Sequence, residues 1–275
     1  MEFERGRTVL IDVTTPTYPD GMSIPKTVLV TGAARRIGRA IACDLGGSGW
    51  SVVVHYNRST GEAETVVDEI KAAGGSAVSL KADLAIEGET RQLVADSVTA
   101  FGPIGCLVNN ASTFDRDEFD TVTRASWDAH IEPNLRAPFV LSQDMAAALP
   151  EDKDGVIVNI IDQRVWNLTP HFLSYTLSKT GLWTLTRTLA LALAPRIRVN
   201  GIGPGPTLRN VRQTEAQFQR QQDSVPLRRG ASSEEVARAV RFIIDSPSMT
   251  GQMIALDGGQ HLGWAQPPPG AEVEE

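Results

Sequence analysis

Residues 27–45, TVLVTGAARRIGRAIACDL, decide the fold. The apolar, β-branched run TVLVT is followed by a turn carrying Gly32 and Gly38, and Ile41 and Leu45 continue with helical spacing. Glycines in such a turn let the backbone approach a pyrophosphate, while the helix N-terminus offers N–H donors and the positive end of a dipole. A tight turn that only packs a helix against a strand uses the same residues. What surrounds the stretch separates the two. Six more apolar runs follow it: SVVVHY (51–56), SAVSLKAD (76–83), CLVNNA (106–111), GVIVNII (155–161), RIRVNGI (196–202) and GQMIALDGG (251–259). Amphipathic segments such as GEAETVVDEIKAAG and EEVARAVRFIID lie between them. Nearly continuous Val/Ile/Leu strands alternating with helices indicate an α/β chain whose parallel seven-stranded sheet is covered on both faces, hence doubly wound. Ligands of such sheets bind at the carboxyl ends of the strands.

The 275 residues suit a single domain, and 41% hydrophobic residues suffice for its core. A formal net charge of -7 argues against nucleic acid or an anionic membrane as partner. Cys43 and Cys106 stand far apart, and His55, His130, His171 and His261 lack ligand spacing, so neither a disulfide framework nor a metal site is expected. No run approaches the roughly 18 apolar residues of a membrane span, and no basic n-region with a long h-region opens the chain, so the cytoplasm is the expected location. Residues 1–25 precede the pattern as an extension containing TVLIDV, a candidate short strand, and Met22 offers an alternative start. Residues 265–275, AQPPPGAEVEE, have no periodicity and are expected to be disordered.

Residues 27–260 resemble the short-chain dehydrogenase/reductase family, whose turn reads TGxxxGxG. The resemblance implies a Rossmann-like fold over residues 26–264 and a nicotinamide dinucleotide against Gly32, Ile37 and Gly38. Arg36 stands where the family's middle glycine lies. NAD sites carry an acid after the second strand for the ribose 2′-OH, whereas a 2′-phosphate calls for cations. Here that strand ends HYNRS, with Asn57, Arg58 and Ser59 and no acid. Arg36, Arg58 and Ser59 are therefore expected to cradle a 2′-phosphate, which makes NADP(H) the expected cofactor; a solvated basic face is the plainer alternative. The resemblance further implies adenine contacts from Asp83 and Leu84, cofactor contacts from Asn110, Ala111 and Ser112 in an NNAG-like segment whose glycine is Ser112 here, and nicotinamide contacts from Pro204 and Gly205. Asn134, in IEPNLRAPFVLS, matches the family's active-site asparagine, which holds a water in a proton relay.

Tyr175 and Lys179 are four residues apart and share one face of a helix. A phenol with an unperturbed pKa of about 10 yields its proton reluctantly, and a nearby ammonium eases the transfer. In the resembled family the tyrosine donates the proton and the lysine also binds the nicotinamide ribose. Thirteen positions before Tyr175, where most of the family has serine, stands Asp162. An ionised carboxylate opposes the negative charge that grows on a ketone oxygen during reduction, but matches a ring nitrogen that takes up a proton. A closer resemblance agrees. TGAARRIGR, HYNRS, NNAS followed by Phe114, Asp162 with Tyr175 and Lys179, and the ending DGGQHL are similar to the pteridine reductase and dihydromonapterin reductase branch. There Phe114 corresponds to the aromatic that sandwiches a pterin against the nicotinamide. Ser112, Phe114, Asp162, Trp166 and Tyr175 are thus the expected substrate contacts, with Asp162, Tyr175, Lys179 and Asn134 catalytic. Gln163, Arg164 and Trp166 match neither the pteridine reductases nor the dihydromonapterin reductases well, and an Arg164 paired with Asp162 would make that carboxylate structural. The expected activity is NADPH-dependent reduction of a C=N bond in a pterin-like heterocycle. A carbonyl reductase or alcohol dehydrogenase and a non-catalytic NADP-binding regulator are the alternatives. The resemblance also implies a homotetramer, with Leu182, Leu185, Leu189 and Leu193 of the Tyr175 helix compatible with an interface or a core.

Overall fold

A computed structural model describes residues 23–210 and 212–263. The strands are β1 (Thr27–Val30), β2 (Ser51–Tyr56), β3 (Ser76–Lys81), β4 (Cys106–Asn109), β5 (Gly155–Ile160), β6 (Ile197–Pro204) and β7 (Met253–Leu256). All pair in parallel, in the order β3-β2-β1-β4-β5-β6-β7. The helices are α1 (Arg36–Gly47), α2 (Thr60–Ala72), α3 (Glu87–Phe101), α4 (Arg124–Ile131), α5 (Ala137–Ala148), α6 (Leu173–Ala192), α7 (Glu215–Ser224) and α8 (Ser233–Ile244). Successive strand residues face opposite sides of the sheet, and the two cores follow that alternation. Val28, Val30, Val52 and Val54 pack under α1, α2 and α8, whereas Leu29, Val53, Leu107 and Ile157 pack under α3 and α5. The chain order reverses between β1 and β4, so a crevice opens beyond their carboxyl ends.

Departures from the sequence pattern are local. β6 runs on to Pro204, and the last expected run shortens to Met253–Leu256 because Gly258 and Gly259, with φ of 64° and 86°, turn the chain. The segment expected as one helix around Asn134 is α4, a single π turn (Glu132–Arg136) and α5. Pro133 and Pro138 have no N–H to give the carbonyls four residues back, and the N–H of Ala137 instead reaches Glu132. Leu182, Leu189 and Leu193 pack into the core, which leaves Leu177 and Leu191 as the exposed leucines of the α6 region. The candidate strand TVLIDV, Met22 and the tail from residue 265 lie outside the described residues. Among the described residues no helix is long and apolar enough to cross a membrane.

Buried Arg198 of β6 fastens α8, donating to the carbonyls of Ile243 (2.9 Å), Ile244 (2.8 Å) and Met249 (3.1 Å). Arg198→Met removes all of these charge-assisted bonds at once, so urea denaturation should show a loss of about 2 kcal/mol with an unchanged slope.

Candidate active site

The crevice is a cleft of about 860 Å³ along the carboxyl ends of the sheet. Its floor is tied across β1 and β4 by Thr31. The hydroxyl donates to the Val108 carbonyl (3.2 Å) and accepts from the N–H groups of Asn110 and Ala111, both at 2.9 Å. In return the Asn110 amide donates to the carbonyls of Thr31 (2.8 Å) and Gly32 (3.2 Å). The turn leaves no room for side chains at its glycines. A Cβ on Gly38 would lie 2.3 Å from the Gly32 oxygen and 2.5 Å from the Asn110 amide nitrogen, and Gly32 has a left-handed φ of 62°. That cradle, closed against everything but backbone, fits a dinucleotide diphosphate. His55, which showed only that it lacks metal spacing, braces the turn. Its Nδ1 accepts from the Gly32 N–H (3.0 Å), so Nε2 carries the proton and donates to the Ala82 carbonyl (3.1 Å). Burial pushes its pKa down to about 4, so the ring is neutral in neutral solution.

Asn57, Arg58 and Ser59 line the cleft where β2 passes into α2. Ser59 occupies the N-cap position of α2 without capping it through its side chain, so its hydroxyl is uncommitted to the helix. Arg36 lines the same cleft as Arg58 and Ser59, and its guanidinium donates to the carbonyls of Leu208 (3.1 Å) and Arg209 (2.9 Å), in the segment after β6. The arginine that reaches α2 is Arg35, which lines the cleft and stands 3.5 Å from Glu62 in the first turn of that helix. Asp83 and Leu84 line the adjoining end; the Asp83 carboxylate accepts from the Ala85 N–H (3.0 Å) and fixes the loop after β3.

At the other end, Tyr175 and Lys179 project from α6 beside Asp162, which follows β5. The Tyr175 hydroxyl donates to Asp162 Oδ2 at 2.8 Å, and Oδ1 accepts from the Arg164 N–H at 2.8 Å. The aspartate therefore caps a one-turn 3-10 helix (Gln163–Val165) with one oxygen and meets the phenol with the other. Lys179 is buried, donates to the Ile160 carbonyl at 2.9 Å and lies 5.8 Å from the Tyr175 ring centre. Burial pushes its pKa down to about 8, while the Asp162 carboxylate acts in the opposite sense. The Arg164 guanidinium donates to Thr169 (2.6 Å) and stands 5.2 Å from the Phe172 ring centre, while the Arg164 main-chain N–H binds Asp162.

Asn134 is fully buried and does not line the cleft. Its amide accepts from the Thr113 N–H (2.8 Å) and donates to the Thr113 carbonyl (2.9 Å) and to Ser178 (3.1 Å). The side chain thus clamps the Ser112–Phe114 segment to α6. Phe114 lines the cleft and stacks on buried Phe172, with ring centres 4.6 Å apart and planes 7° from parallel. Its edge meets Tyr175, also at 4.6 Å. Behind these rings runs a buried chain of donors. His130 Nε2 accepts from the Asp115 N–H (3.0 Å), so Nδ1 donates to Ser174 (2.7 Å), whose hydroxyl donates to Asp117. Phe172, His130, Ser174 and Asp117 carried no sequence signal, since each matters only through partners distant in the chain. Trp166 is a correction: it is 43% exposed, packs edge-on to Trp183 and His261, and does not line the cleft. Gln163 lines the cleft in that region, as do Ser112, Pro204 and Gly205.

The family model described as short chain dehydrogenase matches residues 26–220. A crystal structure of FolM alternative dihydrofolate reductase 1 from Brucella canis, complexed with NADP, is 53% identical with a TM-score of 0.85, covering 88% of this chain and 96% of that one. Its counterpart from Brucella suis, also with NADP, is 54% identical with a TM-score of 0.85 and coverages of 88% and 97%. Among curated proteins, the 3-oxoacyl-(acyl-carrier-protein) reductase FabG of Staphylococcus epidermidis is 32% identical over 242 residues, 86% of this chain and 99% of that protein.

Two measurements test this geometry. Gly38→Ala should weaken NADPH binding by about a hundredfold, read by fluorescence titration, because the added methyl meets the fixed Gly32 carbonyl and the Asn110 amide that holds the turn. Lys179 holds its ammonium below its pKa and loses it as pH rises through about 8. The pH profile of kcat/KM should therefore fall on the alkaline side near that value.

Proposed function

The chain belongs to the short-chain dehydrogenase family, and on that premise we propose that it is an NADPH-dependent reductase of a C=N bond in a pterin-like heterocycle. The observation that carries this reading is the Asp162 carboxylate, 2.8 Å from the Tyr175 hydroxyl and facing the cleft where the family pattern has a serine. The likeness, above half identity, to dihydrofolate reductases of the FolM type complexed with NADP supports it. Gly32 and Gly38 receive the diphosphate at the N-terminus of α1, and Arg35, Arg58 and Ser59 receive the 2′-phosphate at the start of α2. Asp83 and Leu84 flank the adenine; Ile37, Asn110, Ala111, Pro204 and Gly205 complete the groove. When bound, NADPH supplies a hydride to a carbon of the substrate ring.

The protein's own groups manage the accompanying proton and the orientation. Tyr175 presents its hydroxyl and Asp162 its carboxyl to the ring nitrogens, so a proton reaches the nitrogen of the reduced bond directly or through a water. Lys179 favours loss of the phenolic proton and holds the nicotinamide ribose. Phe114, backed by Phe172, gives a flat apolar wall, and confinement of both rings contributes by proximity. Ketone reduction is a second reading, favoured by curated relatives that are 3-oxoacyl-(acyl-carrier-protein) reductases, 31–33% identical. It sets Asp162 against the oxyanion such chemistry creates. Exposed Leu177 and Leu191 near α6 fit the homotetramer that the family resemblance implies, and the cytoplasm is the location in keeping with this chemistry.

The test is NADPH oxidation by the purified protein with 7,8-dihydropterins and dihydrofolate, beside a panel of ketones and aldehydes. Turnover should be confined to the pterins. Asp162→Ser should lower it by about a hundredfold or more while leaving NADPH affinity intact; a serine variant that keeps pterin turnover would refute the assignment of Asp162.

A further inference from the structure

The helix that carries Tyr175 and Lys179 begins without a cap of its own. Phe172 stands at the N-cap of α6, where its side chain offers the first turn no acceptor, and its φ of 57° lies in the left-handed region that strains a residue with a Cβ. The missing acceptors come from Asp117, in the loop between β4 and α4, 57 positions before Ser174. Its main-chain carbonyl accepts from the N–H groups of Phe172 (3.0 Å) and Leu173 (3.4 Å), and its carboxylate accepts from the Ser174 N–H (3.2 Å) and the Ser174 hydroxyl. One buried residue outside the cleft thus serves the start of the helix, with a carboxylate at the positive end of the helix dipole. The direction of the bonds around it is fixed as well. The Asp115 N–H can only donate, so His130 receives at Nε2 and gives at Nδ1, and Ser174 turns its own hydrogen to Asp117. This run starts and ends in one loop, and it grips α4 and α6 between its two ends.

We propose that Asp117 is a positioning residue for the reduction: from the loop that carries Phe114 it caps α6, and so fixes where Tyr175 presents its hydroxyl. This rests on the reductase reading and deepens it. Tyr175 follows Ser174 directly, and Phe172, held by the Asp117 carbonyl, is the ring on which Phe114 stacks. Asp117→Asn is the informative variant, because it keeps the shape of the side chain and changes one acceptor into a donor. The Ser174 N–H and hydroxyl opposite both donate, so an amide satisfies only one of them. With a dihydropterin, kcat should fall about thirtyfold, since a proton donor shifted off its line to the reacting nitrogen loses rate steeply. KM should rise by no more than about threefold, because Asn134 still clamps the segment leading to Phe114. NADPH affinity should also stay within about threefold, because Thr31, Asn110 and His55 brace the nucleotide turn on their own. Asp120→Asn removes an exposed carboxylate from the same loop and should leave both constants unchanged.

A merely structural role would lower the melting temperature and leave kcat per NADPH-binding site intact in assays run well below it; that outcome overturns the proposal, and so does a defect confined to NADPH affinity. Ser174→Ala keeps the main-chain bond to Asp117 and is the milder break, expected to lower kcat about fivefold. It decides the matter even where Asp117→Asn does not fold, since an unchanged kcat in Ser174→Ala counts against the proposal. Combined, the two substitutions should be no worse than Asp117→Asn alone, as expected of partners in one chain, and losses that multiply overturn the proposal as well. Amide hydrogen exchange is a readout free of turnover: in residues 172–176 it should quicken about tenfold in Asp117→Asn and stay as in the parent in Asp120→Asn. If the parent protein reduces no pterin, the reductase reading fails, while that exchange still decides whether Asp117 sets the start of α6.

Discussion

Everything at the cleft depends on Thr31, whose hydroxyl binds main-chain groups of the β4 end while its own carbonyl is held by Asn110. The backbone ladder registers β1 on β4 as far as Val30 and Val108, and beyond it the two carboxyl ends are tied by side chains. Thr31 and Asn110 do this at the point where the chain order reverses. The nucleotide turn then has a fixed floor, His55 fixes its flank, and Gly38 can approach Gly32 to the point where a methyl group would not fit. Displace Thr31 and the turn, the β4 loop and the segment leading to Phe114 lose their common reference.

The chemistry is set by how Asp162 divides its oxygens. One oxygen caps a short helical turn through the Arg164 N–H, which orients the carboxylate, and the other meets the Tyr175 hydroxyl. A serine at this position offers a donor; a carboxylate offers acceptors or, protonated, one donor. Lys179 lies beneath both, desolvated enough that its charge is held with difficulty, and an ammionium in that state responds strongly to any charge brought close. On the proposed reading, the group favours substrates whose nitrogen takes up a proton over those whose oxygen takes up charge.

What could be read from the sequence follows the range of the interactions. The strands were legible because burial on both faces demands unbroken Val/Ile/Leu runs, and Tyr175, Lys179 and Asp162 because one helical turn and one strand end set their spacing. Pro133 and Pro138 announce the π turn at Asn134, although a helical repeat taken alone conceals it. Arg35 and Arg36 are adjacent and chemically alike, so which of them reaches α2 is decided by a left-handed residue that no propensity foretells. Trp166 follows Asp162 closely in sequence, but the 3-10 turn at Gln163–Val165 swings it toward Trp183 and His261. Phe172 and the His130–Ser174–Asp117 chain join residues more than forty positions apart, beyond the reach of any local pattern.

The stacked pair Phe114 and Phe172 is held differently from the nucleotide turn. The turn is anchored to the strand ends by Thr31, Asn110 and His55, whereas the two rings are suspended from loops through His130, Ser174, Asp117 and the Asn134 clamp on Thr113. Turn and rings share the floor at Thr31 but carry separate braces, so a substitution in the His130–Ser174–Asp117 chain is felt first by the aromatic wall and a substitution at His55 first by the nucleotide turn.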